Sequence, residues 1–327
     1  MHLDDGPPIR GHIRVAGYRR VSHGLFLPSN EGSDDLTERE WRRDLGAWLL
    51  VLPRGARFTH LTGAQLKKWK LPALPDHLPA FAVVGRNDPR PRRNGLVCSR
   101  LEVAAPGTFV DGLPVDASEE ILLRAARDLG LLDLLVLVDS ARRMGDVDAE
   151  RMRAVLDSRR PGVRLLRRAW LLSSDRADSP GETLLRLFDI TMDVEVKPQA
   201  KLYDEAGNLV GEADLWVVGT DLIHEYDGSH HRGKAQQRTD LRRGRGLAQT
   251  SYDRRGFTLD DLLNHPAVLM HELDRDLGRR HDRRRLRRWR VLVEQSMYSD
   301  AGRRRIRNRW QRQMGVAEWS RTAPHGA

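Results

Sequence analysis

Apolar residues recur along this chain with two different periods, and the change of period organises it. Val21 to Pro28 carries short, weakly patterned strand material within residues 1–35, followed by the loop residues Ser29, Asn30, Glu31, Gly32 and Ser33. Trp41, Leu45, Trp48, Leu49 and Leu52 then fall on one helical face, opened by a Thr37–Glu40 capping box and ended by Pro53. Thr62 to Lys70 predicts a second short helix, stopped before Pro72. Between Pro72 and Pro114 the β-formers Phe81, Val83, Val84, Leu96 and Val97 alternate with Pro, Gly and Asn breaks, which predicts short strands. From Ser118 the period turns helical, with helices ending near Gly130, Gly145 and Pro161 and another over Gly162 to Ser173.

Ser173 to Asp178 reads as a linker, after which the pattern predicts an αβββαβα order. Ser179, Pro180 and Glu182 supply an N-cap, a first-turn proline and the acid that closes a capping box, for a helix reaching about Phe188. Strands are expected at Val194–Tyr203, Leu209–Val218 and Leu222–Tyr226. The first pair is joined by an Asp204–Asn208 hairpin and the second by Gly219, Thr220 and Asp221. A polar helix from about Lys234 to Gln249, a short strand near Ser251 to Arg254 and a helix capped by Thr258 and Asp261, ending before Pro266, complete the unit. The fold class expected is α+β: a mixed helix and short-strand region over 1–172, a core over 179–277 and an arginine-rich helical extension over 278–327.

Charge changes this picture in one place. The chain of 327 residues has a net charge of +10, yet residues 275–312 alone hold 15 arginines against four acids, a net +11. The basicity therefore sits in the extension, as a guanidinium block suited to a polyanion such as DNA. Leu286, Trp289, Val291, Leu292, Ile306 and Trp310 mark two short helices within it. A single cysteine, Cys98, excludes an internal disulfide framework and a cysteine-cluster zinc site. With no apolar run long enough for a membrane span and no signal-peptide pattern, a cytoplasmic location without membrane contact is the expectation.

The chemistry lies in the expected core. Asp214 belongs to its second strand, and Glu225 and Asp227, two apart, point to one face at the end of its third. Carboxylates converging there repel one another unless a divalent cation lies between them, and Mg²⁺ or Mn²⁺ suits an all-oxygen set. Such an ion polarises a phosphate and activates bound water. Glu182 is placed to orient that water or add a ligand, and Gly228 lets the chain turn. His230 or His231 is a candidate proton carrier, and Arg238, Asp240 and Arg243 are candidates to hold a phosphate and the histidine, with Gln236 and Gln237 as weaker ones.

Ala213-Asp214-Leu215-Trp216, His224-Glu225-Tyr226-Asp227-Gly228-Ser229-His230-His231-Arg232 and Arg238-Thr239-Asp240-Leu241-Arg242-Arg243 together resemble the D…ExDGxxH…D..R series of very-short-patch-repair-like PD-(D/E)XK nucleases. Phe257 to Leu263 resembles that family's ending. The resemblance covers about a hundred residues. It implies a restriction-endonuclease-like core in which Asp214, Glu225 and Asp227 bind metal and His231 assists. It also makes Asp240 and Arg243 supporting residues, and Arg232 and Arg238 stand beside them as candidate substrate-binding residues. Asp227 stands where the wider class has lysine, so Lys197, Lys201 and Lys234 become candidates for that charge. Gly24–Pro28, Phe58–Ala64 and Gly112–Val115 resemble an AbiEi-type antitoxin-like region, without the winged helix-turn-helix that leads that family.

These readings imply a Mg²⁺-dependent DNA endonuclease serving phage defence or repair, with a toxin or defence-system component as a further partner. The alternative is a non-catalytic DNA-binding regulator of antitoxin type built on a degenerate nuclease fold. No base-reading element distinguishes DNA from RNA as substrate.

Overall fold

Turn residues cut the chain into short apolar runs, and these pair into three sheets that alternate with helices along the chain, a mixed α+β architecture. The structure is a computed structural model that describes residues 7–11, 17–29, 38–101, 107–228 and 251–315. It divides into two units: residues 1–68, 74–128 and 304–327, and residues 69–73 with 129–303. Among the described residues no helix is long and apolar enough to cross a membrane.

The first unit holds a three-stranded antiparallel sheet of β1 (Ile9–Arg10), β3 (Leu25–Pro28) and β2 (Tyr18–Ser22), followed by α1 (Glu38–Leu49). Leu45, Ala47 and Trp48 form the buried face of α1, as its apolar stripe predicts. Thr37, the expected cap, lies outside the described residues. A mixed five-stranded sheet runs β6 (Leu96–Arg100), β5 (Ala80–Val84), β4 (Arg57–Phe58), β8 (Leu113–Val115) and β7 (Thr108–Val110). Every residue of β5 is buried, which suits its unbroken apolar run. α2 (His60–Leu66) starts earlier and stops earlier than its sequence pattern suggests, because Lys68 turns the chain at φ +60°. α3 (Ser118–Ala125) is buried along its whole length.

The second unit starts with α4 (Leu131–Arg143), α5 (Ala149–Asp157) and α6 (Val163–Leu172), then α7 (Pro180–Thr191). The sheet β12 (Asp253–Phe257), β11 (Leu222–Tyr226), β10 (Leu209–Val217), β9 (Val196–Tyr203) follows. Its β9–β10–β11 ladders are antiparallel, and β11–β12 is parallel. Pro198 lacks an N–H and is tolerated because β9 is an edge strand. After β12 come α8 (Leu259–Asn264), α9 (Pro266–Asp276), α10 (Arg283–Glu294) and α11 (Asp300–Met314), whose residues from Arg304 belong to the first unit.

Two sequence expectations need correction. The linker over Ser173–Asp178 does not separate two bodies, since α4 to α7 lie in one unit. Buried Asp139 of α4 ties the segment down, accepting Ser174 N–H at 2.8 Å, Thr183 Oγ1–H at 2.9 Å and an Arg186 guanidinium N–H at 2.5 Å. The helix capped by Thr258 ends at Asn264, before Pro266 as expected, and Pro266 then begins α9 as a first-turn residue, where its missing N–H costs nothing. The arginine block is no free extension. Trp289 is fully buried and meets Phe188 edge to face at 5.2 Å, and Trp310 is fully buried in the first unit. Arg279 donates to Met192 O at 2.7 Å and Arg288 to Thr191 O at 2.9 Å, so arginines of this block take the carbonyls left open at the C-terminus of α7.

Candidate active site

Cross-strand register sets the site. Leu215 pairs with His224 and Trp216 with Ile223, so one step further Asp214 lies across from Glu225, on the face that Trp216 and Ile223 share. Asp214 Oδ2 accepts the Tyr226 N–H at 2.9 Å, which fastens this half-buried carboxylate to the peptide just after Glu225. Glu225 is buried and forms an ion pair with Arg254 at 2.6 Å. Arg254 comes from β12, where it stands level with Ile223 and therefore on the same face. Asp227 is exposed, and its N–H donates to Phe257 O at 2.7 Å, carrying the β11–β12 ladder one bond past the strand end.

The sequence thus placed Asp214 and Glu225 on one face, and Asp227 follows at its rim. Among the described residues, no group of three or more His, Cys, Asp or Glu side chains is gathered closely enough to hold a metal ion. The cation beside Glu225 here is the Arg254 guanidinium.

Glu182 has a different set of partners from the one expected. Its carboxylate accepts Asp178 N–H at 2.9 Å, Ser179 Oγ–H at 2.8 Å and Gln199 Nε2–H at 2.9 Å. Of the expected capping box one arm forms, Glu182 N–H donating to Ser179 Oγ at 3.2 Å, while the Glu182 carboxylate takes the Asp178 N–H in place of the Ser179 N–H. Burial raises the Glu182 carboxyl above the usual carboxylate range. The helix cap and Gln199 thus occupy this group.

Two residues without a local sequence signal belong to this neighbourhood. Gln199 sits between the Pro198–Leu215 and Ala200–Ala213 pairs, level with Asp214, and adopts φ +47°. A non-glycine residue in that region is strained, so its bond to Glu182 holds an unfavourable backbone in place. Arg254 escapes a sequence reading because it reaches Glu225 only through a parallel pairing, which depends on a crossover and not on local spacing. Lys197 and Lys201, the proposed lysine substitutes, are exposed on edge strand β9, across from Trp216 and Glu212. Lys234, His230, His231, Arg232, Gln236, Gln237, Arg238, Asp240 and Arg243 lie outside the described residues.

The reverse face of the sheet packs on α7. His224 Nδ1 is 2.9 Å from Asp189 Oδ2, both side chains are fully buried, and Phe257 closes on the imidazole at 4.8 Å. Tyr226 lies over Gly181, where a Cβ would come within 2.0 Å of its ring. Only a glycine lets the start of α7 approach β11 this closely. Burial raises the Tyr226 hydroxyl above its ordinary value, so it stays protonated near neutral pH. Compared with known protein families, with characterised proteins and with solved structures, the chain matches none of them significantly.

Proposed function

We propose that this protein is a Mg²⁺- or Mn²⁺-dependent DNA endonuclease of the PD-(D/E)XK type that hydrolyses phosphodiester bonds at the β10–β11 face. The observation that supports this most is Asp214 across from Glu225 on one sheet face, with Asp227 following at the strand end. The sequence of one helix, three antiparallel strands and a fourth strand parallel to the third is compatible with such a core.

Asp214, Glu225 and Asp227 offer carboxylate oxygens of the kind hard divalent cations take; they are not gathered as they stand and would close together to hold the ion. When bound, the ion supplies a polarised phosphate and an activated water. For that to happen Arg254 must turn from Glu225, which leaves its guanidinium beside the site to meet a phosphate oxygen. Arg254 thereby takes the place of the missing lysine as the site's cation. Gln199 positions Glu182 at the adjoining edge. His231 acts in proton transfer, and Arg232, Arg238, Asp240 and Arg243 grip the backbone of the substrate.

One observation favours the second reading, a non-catalytic DNA-binding regulator. Asp214 and Glu225 already have partners in Tyr226 N–H and Arg254, so the pair is electrostatically satisfied without a metal. Plasmid cleavage with Mg²⁺ separates the two. The nuclease reading expects nicking that Asp214→Asn and Glu225→Gln abolish while DNA binding persists. The regulator reading expects binding without cleavage in every variant.

A further inference from the structure

In the first unit β5, β6, the start of α2, the end of α3 and α11 line a half-open cavity of about 360 Å³. Its wall carries the guanidinium groups of Arg90, Arg92, Arg100, Arg124, Arg127 and Arg312 against one acid, Asp128. Some of this charge is already used. Arg124 is buried and pairs with Asp116 at 3.2 Å and Glu120 at 3.4 Å, and Arg100 donates to the Arg86 and Asp88 carbonyls. Asp128 is used as well: it accepts from Arg309, from Trp310 Nε1 at 3.1 Å and from Gln313 Nε2 at 3.4 Å. The guanidinium groups of Arg90, Arg92, Arg127 and Arg312 make no ion pair or hydrogen bond among the described residues.

Guanidinium groups crowded onto one concave wall repel each other, and no acid of that wall is left to offset them. An open surface would spread such charge into solvent, whereas here the wall curves around a space of ligand size. A second observation lies at the floor. His60 is 3 % exposed, stacks on Phe81 at 4.1 Å between ring centroids and is held at φ +52°. Its Nε2 has no hydrogen bond and stands 3.4 Å from Asp128 Oδ2. A strained, buried imidazole thus lines the cationic cavity, its Nε2 facing the Asp128 carboxylate.

We propose that this cavity binds a phosphate monoester of nucleotide size, its phosphate held by Arg90, Arg127 and Arg312. Guanidinium forks match phosphate oxygens in pairs, and a dianionic monoester balances more of the excess charge than a diester does. The volume exceeds what a bare phosphate needs, so the ligand brings an organic group that rests toward Phe81 and Val97. The site binds and does not react covalently: Cys98, on the same wall, is a thiol pushed up to about 11 by burial, and it stays protonated near neutral pH. This site is separate from the carboxylate face of the second unit, so either reading stands or falls alone.

Two sources offer the same chemistry, a free mononucleotide and the 5′-phosphate end of a nucleic acid strand. The test is calorimetric titration of the full chain with AMP, adenosine and a trinucleotide carrying either a 5′-phosphate or a 5′-hydroxyl. The proposal expects saturable binding of AMP or the 5′-phosphorylated trinucleotide, with no binding of adenosine or the 5′-hydroxyl form. The tighter of the two phosphorylated probes identifies the source. Arg90→Gln with Arg127→Gln should weaken binding on the order of tenfold or more for each guanidinium removed. Neither guanidinium has a hydrogen-bond or ion-pair partner among the described residues, so the melting temperature should hold; if the pair nevertheless melts early, Arg312→Gln replaces it. Absence of binding by both phosphorylated probes, equal binding of adenosine, or unchanged affinity in the variants overturns the proposal.

Discussion

His224 Nδ1 and Asp189 Oδ2 meet at 2.9 Å inside the second unit, one residue along β11 from Glu225. This buried pair fixes the strand that carries the candidate site to the helix behind it. Asp189→Ala leaves the imidazole without its partner and should destabilise the unit by about 2–3 kcal/mol. Asp189→Asn keeps an acceptor and should cost less. Urea unfolding of both variants checks this, and a parental midpoint for Asp189→Ala would mean the pair holds nothing.

Gly181 sets the distance between α7 and the end of β11. A Cβ there would meet three Tyr226 ring atoms at 2.0–2.3 Å, so Gly181→Ala must displace the ring. The expected loss is about 1–3 kcal/mol, as for other overpacked sites. In the double variant Gly181→Ala with Tyr226→Ala the clash disappears, and the two effects should not add. Additive losses in thermal unfolding would show that the contact is slack.

Asp128 makes the first unit sensitive to acid. Burial alone would raise its carboxyl, but His60 and Arg309 outweigh that and hold it at about 2, below its ordinary 3.8. A lowered folded-state value means stability that is complete above the unfolded value and lost as pH falls toward the folded one. The contribution is about 2 kcal/mol, and it should disappear between about pH 4 and pH 2. Asp128→Asn should remove that part of the acid dependence, measured as the slope of unfolding free energy against pH over this window.

The arginine block yields a prediction that charge alone would have missed. By charge alone, truncation after Gly278 removes a basic tail and leaves the fold intact. The structure gives the opposite, because Trp289 and Trp310 are fully buried and Trp289 Nε1 donates to Leu262 O at 2.7 Å. Trp289→Ala should cost about 3–5 kcal/mol, and the truncated chain should lose its cooperative thermal transition. A truncated chain that melts like the parent would restore the free-tail reading. On the proposed nuclease reading, arginines of the block without partners among the described residues should still add DNA affinity, each neutralised phosphate contributing about −0.9 to the salt slope.

Elements specified by neighbours in sequence were legible in the chain. The Ser179–Glu182 and Thr258–Asp261 caps, the stripe of α1 and the strands around Gly219 follow from spacings of a few residues, and each appears. The in-register position of Asp214 and Glu225 was legible for the same reason: a tight turn joins their strands. What escaped depends on distant partners. Arg254 meets Glu225 through a parallel strand, Asp189 meets His224 between a helix and the sheet, and Asp139 binds Arg186 from α4 to α7. The arginine block misled because composition gives charge and not burial. A tryptophan in each of the two helices, Trp289 and Trp310, was the signal that they had a core to join.

The measurement closest to the central claim is a calorimetric Mn²⁺ titration of the wild type, of Asp214→Asn and of Arg254→Gln. The nuclease reading predicts saturable binding in the wild type and its loss in Asp214→Asn. It also predicts tighter binding in Arg254→Gln, where Glu225 is relieved of its guanidinium partner. Equal Mn²⁺ binding in wild type and Asp214→Asn, or none in any of the three chains, would contradict a metal-dependent site at this face.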